Sequence, residues 1–287
     1  MPSVRDLRDR IRSLKNTQQI TKAMKQVASA KIRRAQMVQK QASPYAEALG
    51  AMLRDLMNAV GNVDHPFMKP GAEGKPVGVV LMTADKGLAG AFNSNIIRAG
   101  EIYTREHGNV LYYPVGNKAR AAAKRTKFAT AESWSLSTQQ KLDTAKEVAA
   151  KVTDDFVGGQ ISEIVLISPK FVSVMTQRPE TRTLVPIVAE KSQDEQSKGP
   201  RTAVEFSPSP EAVLTRLLPK YLEFTIFSAM LETDAAFYAA QLIAMTNATD
   251  NAGKLLDDLT LAMNKARQAL ITNDMLEIVG GAEAQAG

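Results

Sequence analysis

The stretch LETDAAFYAAQLIAMTNATDNAGKLLDDLTLAMNKARQAL, residues 231–270, decides the fold. Read in alternating steps of four and three it gives Leu231, Ala235, Tyr238, Leu242, Met245, Thr249, Ala252, Leu256, Leu259, Met263, Ala266 and Leu270. Eleven of these twelve are apolar or amphipathic, a run too long and too narrow for one face of a globular helix, and it reads as a coiled-coil seam. Such a seam needs a partner helix to cover it.

The opening of the chain supplies one. Ser3 with Asp6 forms a capping-box-like start, followed by Val4, Leu7, Ile11, Leu14 and then Ile20, Met24, Val27 and Ile32. A helix is expected over residues 3–60, kinked rather than stopped at Ser43-Pro44. The last helix is expected to follow a short segment at 211–218, to begin at Pro219 and to stop at Gly280-Gly281. About sixty residues at 1.5 Å each make a rod of roughly 90 Å, which has no core unless the first helix packs antiparallel against it. Alanine and methionine in the seam imply a slender pair.

Between the two helices the pattern changes. Residues 61–76, GNVDHPFMKPGAEGKP, are dense in glycine and proline. Strands are expected at 77–82 and 110–115 around a helix at 94–106, with further helices at 117–127 and 138–157. Three more strands are expected at 161–168, 171–176 and 183–188. The predicted fold class is therefore α/β: a long antiparallel coiled coil of N- and C-terminal helices with an inserted Rossmann-like α/β domain. The coiled coil takes residues 1–60 and 211–287, the α/β domain 75–190, and the linkers 61–74 and 191–210.

Composition narrows function. The 44% hydrophobic and 23% charged content is that of a folded protein, and no apolar run approaches the length of a membrane span. Asp6 and Asp9 interrupt the basic N-terminus, which reads as mature helix rather than a transit peptide. No cysteine is present, so thiol catalysis and disulfides are excluded. The net charge of +6 is unevenly spread: residues 1–40 hold eleven Lys/Arg against two Asp, whereas residues 228–287 hold three against eight acids. The two helices thus carry opposite charge, which biases them toward pairing.

Catalytic motifs are missing. There is no Walker A sequence and no HExxH, and the two histidines, His65 and His107, lie far apart. No metal or cofactor is expected. Gly87-Leu88-Ala89-Gly90 after a strand is half of a dinucleotide fingerprint; a tight strand-to-helix turn explains it without a ligand, and a phosphate site is the alternative. The one-signed first helix suits phosphates, anionic lipid or an acidic protein, or is a solvated face. No aromatic precedes Tyr45, which disfavours base stacking and interfacial anchoring and favours the acidic protein.

Three blocks carry a family likeness: IRSLKNTQQITKAMKQVASAKIRRAQ at 11–36, TADKGLAGAFNSNI at 83–96, and AMTNATDNAGKLLDDLTLAMNKARQALITNDMLEIVGGAEA at 244–284. On these the chain resembles the gamma subunit of the F-type ATP synthase. The resemblance implies a non-catalytic rotor shaft. Its coil would stand inside a hexamer of alpha and beta subunits, with the α/β foot beside the epsilon subunit and the membrane c-subunit ring. Turning would couple proton or sodium flow to ATP synthesis or hydrolysis on beta.

The resemblance also implies partner-binding residues. Arg8 and Arg10 belong to the basic start, and Lys22, Met24 and Lys25 match the region facing an acidic lever loop of beta. Arg267 and Gln268 match a catch contact, while Ile271, Met275 and Ile278 belong to a tip seated in an apolar sleeve. Met24 has a second reading as seam filler, Gln268 as a solvated residue, and the tip as ordinary helix packing. No nucleic acid partner and no membrane span are implied, and the location would be peripheral, on the cytoplasmic face of a bacterial inner membrane or its organellar equivalent. Two departures stand out. Thr83-Ala84-Asp85-Lys86-Gly87-Leu88-Ala89-Gly90 replaces a Ser-Asp-Arg-Gly-Leu-Cys-Gly pattern, and residues 235–241 (AAFYAAQ) replace a more polar, arginine-bearing stretch. On residues alone, a nucleotide-binding enzyme and a basic coiled-coil adaptor on nucleic acid are the rival classes.

Overall fold

The computed structural model describes residues 3–60, 65–136, 140–187 and 210–286. Two long helices, α1 (Val4–Val60) and α5 (Pro210–Ala286), bracket β1 (Val77–Met82), α2 (Phe92–His107), β2 (Val110–Val115), α3 (Asn117–Thr126), α4 (Lys141–Val157), β3 (Glu163–Phe171) and β4 (Gln177–Val185). The expected cap is present: the Ser3 amide donates to Asp6 Oδ2 (3.2 Å) and the Asp6 amide to Ser3 Oγ (3.1 Å). Hydrogen bonding of its carboxyl to the Ser3 side chain, and then to the Ser3 amide, holds Asp6 below its ordinary value. α1 continues through Pro44 without a stop.

The chain divides into two compact units, Met1–Ser29 with Gln241–Gly287, and Ala30–Ala240. In the first, α1 and α5 run antiparallel. Thr249 Oγ1 donates to Thr21 Oγ1 (2.9 Å), and the side-chain nitrogen of Gln18 lies 3.1 Å from where a Cβ on Gly253 would sit. Three residues back on α1 is thus four forward on α5. Leu7 and Ala28 are buried from one helix, Met245 and Ala252 from the other. The α5 seam stays at least half-covered through Leu256, Leu259, Met263 and Ala266.

In the second unit a four-stranded sheet has the order β2-β1-β3-β4, parallel except for the β3–β4 hairpin. Both faces are covered, which is why VGVVLM is apolar throughout rather than alternating. Val79, Leu81, Val165 and Ile167 pack with Phe92 and Ile96 of α2 and with Phe237 of α5. The opposite face, with Val80, Met82, Ile164 and Leu166, packs with Val148 and Val152 of α4, Leu56 of α1, and Leu214, Leu218 and Leu222 of α5. The sheet core therefore includes the long helices themselves. β4 is an edge strand, and Arg178, Glu180 and Arg182 give it the charge that discourages further pairing.

Several expectations are corrected. Residues 171–176 do not form a strand: β3 ends at Phe171, and the Ser173 amide donates to the Thr176 carbonyl (3.0 Å), closing a hairpin turn. The expected strand at 183–188 is the end of a longer β4, and residue 188 lies outside the described residues. The helix expected from 138 begins at Lys141, with 138 and 139 outside the described residues. α5 begins at Pro210 and holds Pro219 inside it, because the buried row Leu214, Leu218, Leu222 and Ile226 runs past the proline and its packing outweighs one lost backbone bond. Gly280-Gly281 does not end the helix, which continues to Ala286; two helical glycines cost about 2 kcal/mol relative to alanine and are no stop by themselves. Ile20 and Val27 face outward at 60% and 53% exposure. From Leu14 the seam passes instead through Gln18, Thr21, Lys25, Ala28 and Ile32.

One ion pair ties α4 to α5. Lys141 Nζ lies 2.9 Å from Asp234 Oδ2, both side chains mostly buried, and it also donates to the Leu136 carbonyl (2.6 Å). Burial raises the Asp234 carboxyl above 3.8, with Lys141 the chief opposing influence. Protonation of Asp234 therefore favours the fold fully below pH 3.8, and that contribution is lost as pH rises through the raised value. Lys141→Met removes the opposing cation and raises the carboxyl further. Urea titration is expected to show a loss of about 2 kcal/mol at neutral pH that shrinks as the pH falls to the acid side of that window, down to the part due to the lost bond to the Leu136 carbonyl. A deficit that does not change with pH would deny the pair this role.

Candidate functional site

The register of the first unit fixes where α1 runs out. Counting from Thr21 opposite Thr249, the start of α1 at Val4 reaches Ala266, and from 267 to 280 every residue of α5 is exposed. Leu270, the last position of the predicted seam, is 51% exposed because no α1 residue remains to cover it. The uncovered end carries Leu270, Ile271, Met275, Leu276, Ile278 and Val279, all at least half exposed, with Ile278 at 72%. Singly exposed apolar residues are ordinary, but six within ten positions form a patch of the kind that marks an interaction surface.

The sequence-predicted residues fall in two groups. Arg267, Gln268, Ile271, Met275 and Ile278 come together on this end. Lys22, Met24 and Lys25 sit one helical turn around Thr21, about 27 Å away by the helical rise between Thr249 and Arg267. Lys22, Arg8 and Arg10 are exposed. Met24 and Lys25 are partly buried, Lys25 as a member of the seam. Among the described residues no ion pair engages a cation of residues 5–40, although Lys31 Nζ lies 5.3 Å from the centre of the Tyr238 ring. Sequence reasoning missed Ile20 and Val27 on this surface. A strict four-three count from Leu14 would have found them, because it runs into Gln18 and Thr21 and turns both apolar residues outward.

The glycine turn after β1 is closed by its own side chains. Asn93 Oδ1 accepts from the Ala84 amide (3.0 Å), and its Nδ2 donates to the Lys86 carbonyl (3.1 Å). The Asp85 carboxylate accepts from the Asn117 amide (2.7 Å) and Ser135 Oγ (2.8 Å), joining the turn to the start of α3. Gly116, at φ 99°, has no alternative there: a Cβ would fall 2.1 Å from the Thr83 carbonyl oxygen. These bonds brace the turn, and Gly90 takes a left-handed φ of 59° within it. Lys86 takes part through its backbone, so the turn does not depend on an arginine at that position.

Histidine chemistry has no constellation to work in. His65 Nδ1 accepts from the Phe67 amide, while His107 stacks on Tyr103. Among the described residues no group of His, Cys, Asp or Glu could hold a metal ion, and no helix is long and apolar enough to cross a membrane.

The architecture is a mixed sheet domain whose sequence lies between two long helices, the second helix ending in an exposed apolar stretch. The profile of the ATP synthase family matches residues 3–285. The ATP synthase gamma chain of Heliobacterium modesticaldum is 44% identical over 289 residues, covering 99% of each chain, and that of Desulforamulus reducens is 44% identical over 285 residues at the same coverage. The chain belongs to the ATP synthase gamma-chain family. Its fold is similar to a chain of the Euglena gracilis mitochondrial ATP synthase OSCP/F1/c-ring structure, with TM-score 0.68 at 19% identity, covering 98% of this chain and 94% of that one. It is also similar to one in the central stalk and c-ring structure of Tetrahymena thermophila, with TM-score 0.61 at 22% identity, covering 80% and 99%.

Because the α5 end rests on nothing within its unit, replacing Ile271, Met275 and Ile278 together by serine is expected to leave thermal stability of the isolated chain within about 0.5 kcal/mol per site. A large drop in melting temperature would mean that these residues are core.

Proposed function

We propose that this chain is the central rotor shaft of a bacterial ATP synthase, its helix pair turning inside a hexamer of alpha and beta subunits. Its α/β domain stands at the foot, beside an epsilon subunit and the membrane c-subunit ring. The observation that carries the reading is the exposed apolar α5 end together with the one-signed basic face of α1. Ile271, Met275 and Ile278 seat in an apolar sleeve of the hexamer. Arg267 holds a carboxylate of beta in two-point fashion beside Gln268. Lys22, Met24 and Lys25 meet an acidic lever loop of beta, with Arg8 and Arg10 extending the positive field toward the start of α1.

The chain makes and breaks no bond in this reading. A shaft can shift the open and closed forms of a beta subunit only by contacting the two differently. One-signed charge on one helix and an apolar end on the other give each orientation a distinct set of contacts. Ion flow, of protons or sodium, turns the shaft from its foot, and the contacts impose successive conformations on the catalytic subunits. The complex sits on the cytoplasmic face of the bacterial membrane, with this chain peripheral to it.

Lys22→Gln with Lys25→Gln tests the lever contact. ATP-driven proton pumping by the reassembled complex is expected to fall severalfold, since each charge-assisted contact is worth about 1 to 2 kcal/mol, while the circular dichroism melt is unchanged. Pumping at the parental rate would remove both residues from the coupling surface.

A further inference from the structure

A cleft of about 880 Å³ lies between α2 and α3, beside the turn that follows β1. Its walls carry Arg98 and Arg105 from α2, and Lys118 and Arg125 from α3, against a single acid, Glu101. In each helix the two cations are seven residues apart, so they share one face and stand roughly 10 Å apart along the cleft. Ile97, Ala121 and Ala122 form an apolar floor. Lys118 Nζ reaches to 3.9 Å from where a Cβ on Gly87 would sit, so its charge lies at the turn end of the cleft.

Other cations of the same unit find acids: Lys146 with Asp143, Lys151 with Asp155, Lys170 with Glu180, and Lys220 with Glu223. Among the described residues none of the four cleft cations has an ion pair. Four like charges converging on one concavity repel one another, and an anion seated among them relieves that repulsion. The chemistry of the walls selects the anion. Three of the four heads are guanidinium groups, which hold phosphate oxygens by paired N–H donors. The lining has no aromatic ring to stack a base, so recognition stops at the phosphate.

We propose that the α2–α3 cleft binds an extended anion carrying more than one phosphate group. Two sources share that chemistry: a soluble polyphosphate, and adjacent headgroups of anionic phospholipid whose glycerol and acyl portions meet the Ile97 and Ala121 floor. The proposal concerns a site distinct from the helix-pair surface, and its fate is independent of the rotor reading.

The test uses the full chain with two probes: inorganic tripolyphosphate followed by titration calorimetry, and phosphatidylglycerol vesicles followed by co-sedimentation, with phosphatidylcholine vesicles as the neutral reference. The double variant Arg98→Gln with Arg125→Gln is compared with Arg33→Gln with Lys40→Gln, which removes the same charge from α1. One-to-one tripolyphosphate binding, weakened about tenfold or more in the cleft variant and about twofold or less in the α1 variant, supports the site and assigns a soluble ligand. Selective loss of phosphatidylglycerol binding in the cleft variant supports it and assigns the lipid source. The proposal is overturned if neither probe binds, if both variants weaken binding equally, or if a glutamate oligomer of equal charge occupies the cleft more tightly than tripolyphosphate, which would make it a protein contact. Matching melting temperatures of the two variants and the parent show that the comparison is between folded chains.

Discussion

The covering of one narrow apolar seam by a second helix is the constraint on which this structure rests. Neither long helix is stable alone in water at its length, because a single helix offers its apolar row nothing to pack against. In the first unit α1 lies antiparallel to α5, and the Thr21–Thr249 register places Val4 level with Ala266. The exposed end of α5 follows from this arithmetic rather than from any local property of residues 267–280. An exposed apolar end is thereby left on α5.

In the second unit the same helices do different work. Leu56, Leu214, Leu218 and Leu222 are buried against one face of the sheet, while Phe237 reaches the core of the other face. Burying each such side chain contributes about 1.5 to 3 kcal/mol, so the sheet and the helices hold one another. The Lys141–Asp234 pair adds a directional tie whose strength depends on the carboxylate staying ionised in a place that disfavours the charge. A second tie joins α4 to β2: the buried Tyr113 hydroxyl donates to Asp155 Oδ2 (2.7 Å), and the partly exposed Lys151 Nζ lies 2.8 Å from Oδ1. Burial and the neighbouring carboxylate push the Tyr113 hydroxyl well above its ordinary value, so it stays a donor.

What was legible in the amino-acid order was periodicity. The row from Leu242 to Ala266, the apolar strand at 77–82 and the capping of Ser3 by Asp6 all depend on near neighbours and were read correctly, whereas from Leu231 to Ala240 the helix is buried beyond that row, against the sheet. Local breakers misled. Pro219 and Gly280 look like boundaries, yet packing of a continuous buried stripe overrides the first, and the second costs too little to stop a helix. The stretch FVSVMT has strand composition, but hydrogen bonds around Ser173 and Thr176 fold it into a turn. Ile20 and Val27 drew attention as apolar residues, although the seam at that height is made of Gln18 and Thr21. Contacts between distant segments were out of reach: nothing near Lys141 announces Asp234, and the cations of α2 and α3 become a site only once the sheet brings the two helices side by side.

The Thr21–Thr249 hydroxyl pair, with Gln18 pressed into the gap left by Gly253, has a mechanical meaning. A wholly greasy interface is nearly indifferent to sliding by one heptad, since each leucine finds another. Polar groups at a single height break that degeneracy. A slip along the axis would break the bond between the two hydroxyls, leaving each only its own helix's carbonyl, and drive the glutamine into a residue that has a side chain of its own. The joint therefore works like a key in a slot, holding the two strands of the axle in step against creep under repeated load.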